Sequence, residues 1–149
     1  MKKHSTTLVT YKNMQAEIDE ELAPMILTLW QNDIETIFCC QHDMVDNPYD
    51  DGRSMDVAYI QFDGDISANK FLTFAINKFK KLNILYDDES NPYPLFHWIY
   101  EMYPGWDDEN KCTFLTHTVH FPSFHIEAIT KVFNEELLSK KELDMLDIF

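Results

Sequence analysis

The densest run of side chains able to do chemistry is Cys39-Cys40-Gln41-His42-Asp43. Thiol, imidazole and carboxylate are the donor types of a zinc site, and the first two are the pairing of an activated thiol nucleophile. The spacing is not Cys-x₂-Cys, and no second paired motif occurs. A tetrahedral site would therefore need a ligand that the fold brings from elsewhere. On an extended strand, adjacent cysteines point to opposite faces, so one of the two is expected in the core. The candidate site is Cys39, Cys40, His42 and Asp43, with a structural role for the cysteines as the favoured reading.

The acids form the second candidate. Asp43, Asp46, Asp50, Asp51 and Asp56 lie in or beside one polar stretch, and Asp87, Asp88 and Glu89 in another. Asp46, Asp50, Asp51, Asp87, Asp88 and Glu89 are the expected acidic face. Glu17, Asp19, Glu20 and Glu21 would join them at one end of a sheet if the element order below is right. Such a surface suits a basic protein partner, because spaced carboxylates present a field complementary to Lys and Arg. Asp46 to Gly52 is not an EF-hand loop: its acids do not fall at the required positions, and Pro48 interrupts them. No metal ligand set is assigned and no cofactor is expected.

The remaining histidines and aromatics point less sharply. His117 and His120 are an odd number apart, so a regular strand puts them on opposite faces. His97 and Glu101 share a face but would lie roughly 13 Å apart along a strand, too far for a direct hydrogen bond. Trp98, Tyr100, Tyr103 and Trp106 enrich one hairpin in rings, where core packing or an oligomer contact is the favoured reading over base stacking. There is no phosphate-binding glycine loop, dinucleotide fingerprint, Gly-x-Ser-x-Gly or His-Glu-x-x-His.

Composition sets the frame for these sites. Lys plus Arg is 12 and Asp plus Glu is 26, a net charge of −14 over 149 residues. Nucleic-acid affinity comes mainly from Lys and Arg displacing counterions, so this excess argues against nucleic acid as a partner. Apolar residues at 45% supply one real core and argue against disorder. Three cysteines, two of them adjacent, make a poor disulfide framework; free thiols and a cytoplasmic setting are expected. No apolar run approaches a membrane span, so no membrane partner is expected.

The elements that must position these residues follow from periodicity. Thr6 to Lys12 is β-branched and aromatic and reads as a strand. Ile18, Leu22, Met25, Ile26, Leu29 and Trp30 recur at helical spacing, which predicts a helix opening at Asp19, with Pro24 tolerated only in a first turn. Ile34 to Cys40 and Asp56 to Phe62 read as strands flanking a polar loop. Ser67 is expected to cap a helix with the stripe Phe71, Phe74, Ala75, Phe79 and Leu82. Leu95 to Tyr103 and Lys111 to Phe121 read as a hairpin turning at Pro104 to Asn110. A helix starting at Ser123 carries Ile126, Ile129, Phe133 and Leu137, and Ser139 with Glu142 forms a capping-box pattern before a short last helix. The order β-α-β-β-α-β-β-α predicts a single α+β domain over residues 1–149. Its first six elements match the split β-α-β, ferredoxin-like pattern, with an added strand and helix.

The stretch Ile18-Asp19-Glu20-Glu21-Leu22-Ala23-Pro24, then Leu29-Trp30, Asp33-Ile34-Glu35-Thr36 and Cys39, resembles a family of small bacterial and bacteriophage domains. Ala58-Tyr59-Ile60-Gln61-Phe62 resembles the strand that follows in that family. Asp33 stands where the family usually has Gly, and Cys39-Cys40 where it has Ser-Cys. The resemblance covers about the first half of the chain. It implies an α+β fold and a bacterial or phage origin, and no nameable activity. The expectation is a non-enzymatic binding or accessory domain with an acidic face for a protein partner, through self-association or a basic protein. A small metal-dependent or thiol enzyme built on Cys39 to Asp43, and a purely structural homo-oligomer, are the alternatives.

Overall fold

Strands β1 (Thr6–Tyr11) and β2 (Met14–Asp19) pair antiparallel as a hairpin of their own. The computed structural model describes residues 5–46, 54–84 and 98–147, with the backbone alone at 42–46, 54–55 and 147. Met14, Ala16 and Ile18 alternate with Gln15, Glu17 and Asp19, the period of a strand with one covered face, and Lys12 takes φ 50° in the two-residue turn. The helix expected from Asp19 begins later. Ile18 fits a helical stripe but lies in β2, and α1 runs Ala23–Gln31 with Pro24 in its first turn. Proline has no N–H to give, so it marks the start of the helix rather than its interior.

The main sheet has four strands: β3 (Phe38–Asp46), β4 (Ser54–Phe62), β5 (Ile99–Asp107) and β6 (Cys112–Pro122). Their order is β3-β4-β6-β5, every pairing antiparallel. The chain is thus α+β with two antiparallel sheets. These pairings do not establish the split β-α-β arrangement: β1 pairs only with β2 among the described strands. The third strand starts at Phe38 rather than Ile34 and extends through residues read as loop. The hairpin turns at residues 108–111, beyond the expected Pro104, because Asp107 holds that turn by accepting from the N–H groups of Glu109 and Asn110 at 3.0 and 3.1 Å. Pro104 and Gly105 instead lie within β5, an edge strand, where proline is tolerated. The Phe114 ring lies across Gly105, and a Cβ there would overlap it.

Helix α2 (Asp65–Lys81) starts two residues before Ser67, with Gly64 as its N-cap. After β6 a 3₁₀ turn (Ser123–His125) leads into α3 (Ile126–Phe133), so that helix begins three residues later than expected. Helix α4 (Lys140–Asp147) follows. Its capping box is present: the Glu142 N–H donates to Ser139 Oγ and the Ser139 N–H to Glu142 Oε1, both at 3.1 Å.

One cluster of buried side chains joins α1, α2 and α3 to the face of the main sheet bearing Ala58, Ile60, Phe62, Val119 and Phe121. Rings dominate its centre. Phe71 stacks on Phe62 at 5.1 Å and on Trp98 at 5.6 Å, and meets Phe133 edge-on at 5.9 Å. Each aromatic pair adds about 0.5–1.5 kcal/mol beyond area burial. Helices α1, α2 and α3 all terminate alike. Asp33, Asn83 and Glu135 take φ 59°, 56° and 59°, and the next residue returns its N–H to a carbonyl one turn back. Those bonds are Ile34 to Leu29, Ile84 to Phe79 and Glu136 to Lys131, at 2.9–3.0 Å. Asp33, where the resembled family has glycine, is one of these left-handed positions.

Candidate functional site

Cys39 and Cys40 do point opposite ways. Cys39 lies opposite Ile60 and packs against the core, whereas Cys40 lies opposite Tyr59 on the other face. Burial, then the nearby Asp19 carboxylate and Cys40, push the Cys39 thiol up to about 12. It is therefore a neutral thiol at physiological pH, the opposite of what a nucleophile requires. All three cysteines are free thiols, with Cys112 exposed. His42 and Asp43 follow in β3, whose register slips between Cys40 and Asp43. Among the described residues, no three His, Cys, Asp or Glu side chains are grouped to hold a metal ion.

The bulge has a clear occupant in Gln41, which is buried. Its N–H donates to Asp19 Oδ2 at 2.9 Å, its side-chain carbonyl accepts from the Glu21 N–H at 2.9 Å, and its main-chain carbonyl accepts from Ser123 Oγ at 2.7 Å. One residue thus ties the end of β2, the approach to α1, the bulged strand and the end of β6. A bulge re-aims a side chain in this way by adding a residue that the neighbouring strand does not match.

These ties hold together the walls of a surface cleft of about 650 Å³, lined by Glu20, Glu21, Pro24, Ser123, Phe124, Ile126, Glu127, Thr130 and Lys131. Apolar Pro24, Phe124 and Ile126 lie among the carboxyl groups of Glu20, Glu21 and Glu127. Lys131 is the cation among the lining residues, and Glu142 of α4 already pairs with it at 2.9 Å. The hydrogen bond from Lys131 holds the Glu142 carboxyl below its ordinary range and raises the lysine above its own. The lining therefore sets three carboxylates and one lysine beside an apolar surface.

The other face of the sheet carries a second polar row. Cys40, Tyr59, His120 and Ile99 lie in successive register across all four strands. The Tyr59 and His120 rings lie 5.7 Å apart, and His120 Nε2 is 3.8 Å from Glu101 Oε2. Beside this row Thr118 is buried, and its hydroxyl has no partner among the described residues. His117 lies on the helix-covered face, opposite Phe62 and Met102, and shares a hydrogen bond with the Tyr100 hydroxyl. Burial, and the charge of Asp65 at the start of α2, raise the Tyr100 hydroxyl above its ordinary range. His125 is buried in the 3₁₀ turn and donates from Nε2 to the Met145 carbonyl at 2.8 Å, anchoring α4.

Of the expected acidic face, Asp46 ends β3 opposite Ser54. Asp50, Asp51, Asp87, Asp88 and Glu89 lie outside the described residues, as does His97. Sequence reasoning placed Glu20 and Glu21 in a helix and did not single out Phe124 or Glu127. Glu127 follows Ile126, off the apolar stripe of α3, which was the available signal. No protein-family model matches the chain, and neither a curated protein nor a solved structure is significantly similar to it.

Proposed function

We propose that the chain is a non-enzymatic binding domain that docks a basic protein partner, with the acidic cleft between the approach to α1 and the start of α3 receiving a lysine or arginine side chain. The observation that carries this reading is the make-up of the lining, which sets the carboxylates Glu20, Glu21 and Glu127 around Pro24, Phe124 and Ile126, with one lysine, Lys131, that also pairs with Glu142. A long cationic side chain has that same dual character, an aliphatic stem and a charged head. Asp46, Asp50, Asp51, Asp87, Asp88 and Glu89 belong to the proposal as further carboxylates for the partner, on the strength of the sequence alone. The net charge of −14 speeds the encounter with a basic partner and opposes nucleic acid. Three free thiols fit a cytoplasmic setting.

The test uses an arginine-rich peptide as probe and compares two charge reversals. Glu127→Lys lies in the cleft; Glu109→Lys, in the turn between β5 and β6, makes the same change in net charge outside it. A cleft that seats the cation predicts at least about tenfold weaker binding for Glu127→Lys, which corresponds to about 1.4 kcal/mol, and a much smaller loss for Glu109→Lys. Equal losses would show that the long-range field alone attracts the peptide, and the cleft would be abandoned as the site.

A further inference from the structure

The polar side chains lining the cleft are almost all acceptors. The hydroxyls of Ser123 and Thr130 spend their hydrogens on the main-chain carbonyls of Gln41 and Ile126, each at 2.7 Å. The N–H groups of Glu20 and Glu21 are spent on the Ser5 carbonyl and the Gln41 side chain, both at 2.9 Å. Pro24 has no N–H to give. What these residues still offer a ligand is oxygen: the carboxylates of Glu20, Glu21 and Glu127 and the lone pairs of two hydroxyls. Lys131 is the one lining side chain with N–H donors, and it is hydrogen-bonded to Glu142 at 3.1 Å. Beside these acceptors lies a ring. Phe124 is 45% exposed, although it sits between two buried residues, Ser123 and His125. The His125 ring stands nearly at right angles to it, 4.4 Å away, and His125 is itself fixed by the Met145 carbonyl. The Phe124 ring is thus held in place and only partly covered.

We infer that the cleft is selective for a guanidinium, so that the partner's anchoring residue is an arginine and not a lysine. The inference rests on reading the cleft as the seat of a cation, and adds which cation it takes. A guanidinium is planar and always charged, with five N–H donors and no acceptor. Its donors match a lining that offers oxygen from several residues, and two of them can bind one carboxylate side by side. Its flat, weakly hydrated face can lie on the Phe124 ring. A lysine ammonium satisfies the charge but less of the rest: it is compact and strongly hydrated, with three donors and no plane to lay on a ring. Phe124 therefore decides between the two cations, whereas the three carboxylates attract both.

Two peptides of equal length and charge, one arginine-rich and one lysine-rich, test this by isothermal titration against the full chain. The long-range field attracts both alike, so their difference reports the cleft. The arginine peptide should bind about tenfold more tightly. Phe124→Leu keeps an apolar side chain but removes the ring. It should weaken the arginine peptide about three- to tenfold and leave the lysine peptide within about twofold. Phe124→Trp keeps a ring and should retain the preference. Both variants should keep the wild-type circular dichroism, because Phe124 is half-exposed. Glu127→Lys should weaken both peptides, which separates the cation site from its selectivity. Equal affinity of the wild-type chain for the two peptides would overturn the inference and leave the cation reading standing. So would an arginine preference that survives Phe124→Leu, or a Phe124→Leu chain that loses both peptides equally. If neither peptide binds the wild-type chain, the inference falls together with the reading beneath it.

Discussion

Alkylation of Cys39 is the most direct probe of how the sheet treats the Cys39–Asp43 segment. The thiol moves from an ordinary 9.0 to about 12 on folding. At pH 8 that lowers the thiolate fraction about 1,000-fold, because each pH unit of displacement is a factor of ten. A more basic thiolate is a better nucleophile, which restores about 16- to 32-fold. The net expectation is alkylation slowed about 30- to 60-fold before any steric shielding. The assay is iodoacetamide labelling of the Cys40→Ser chain, read by peptide mass spectrometry, with the same residue in denaturant as reference. Asp19→Asn should recover only a minor part of the lost rate, since burial is the larger cause. The linkage has a definite sign. A thiol raised on folding contributes stability that is full below pH 9 and is lost as pH climbs toward 12, on the order of 4 kcal/mol. Folded Cys39 reacting within about threefold of its denatured rate would refute the argument from burial.

Two further perturbations probe the scaffold. Gln41→Ala removes the acceptor of the Glu21 N–H inside the bulge, and a lower Tm is expected from a loss of about 1–3 kcal/mol; no shift in thermal denaturation would show that the hub is dispensable. Glu135 pairs with Lys78 at 2.6 Å and Lys81 at 2.7 Å, and these bonds hold its carboxyl down at about 2. Its contribution should be present above pH 4.5 and fade as pH falls toward 2, so Glu135→Gln should lower Tm at pH 7, less so in high salt, and hardly at all at pH 2. A Tm loss that persists at pH 2 would mean that something other than the charge stabilises this helix end.

Local rules made some of this chain legible. The capping box at Ser139 and Glu142 spans four residues and depends on nothing distant. The stripe Phe71, Ala75 and Phe79 is buried as its spacing requires. The parity of a strand correctly separated Cys39 from Cys40, and His117 from His120. Where two periods overlap, the sequence misled. Ile18 and Leu22 continue one helical stripe on paper, but the first lies in β2 and the second caps α1. Pro104-Gly105 has the composition of a turn, yet lies in β5, because an edge strand tolerates proline and the Phe114 ring fills the space over Gly105. The cleft was out of reach for a different reason. Its walls come from residues 20–24 and 123–131, and only the fold, held by Gln41, makes them neighbours.

The placement of the three tryptophans gives the molecule a built-in optical assay. Trp30 is 4% exposed and its indole N–H donates to Thr36 Oγ1, while Trp98 is packed among Phe71, Phe79 and Phe121. Trp106, on the hairpin arm, is 58% exposed, with its indole N–H on Asp108 at 3.0 Å. Blue-shifted emission therefore reports the body of the domain, and quenchable red-edge emission reports the arm. Fraying of the arm and melting of the core can be followed as separate signals in one cuvette, without an added dye.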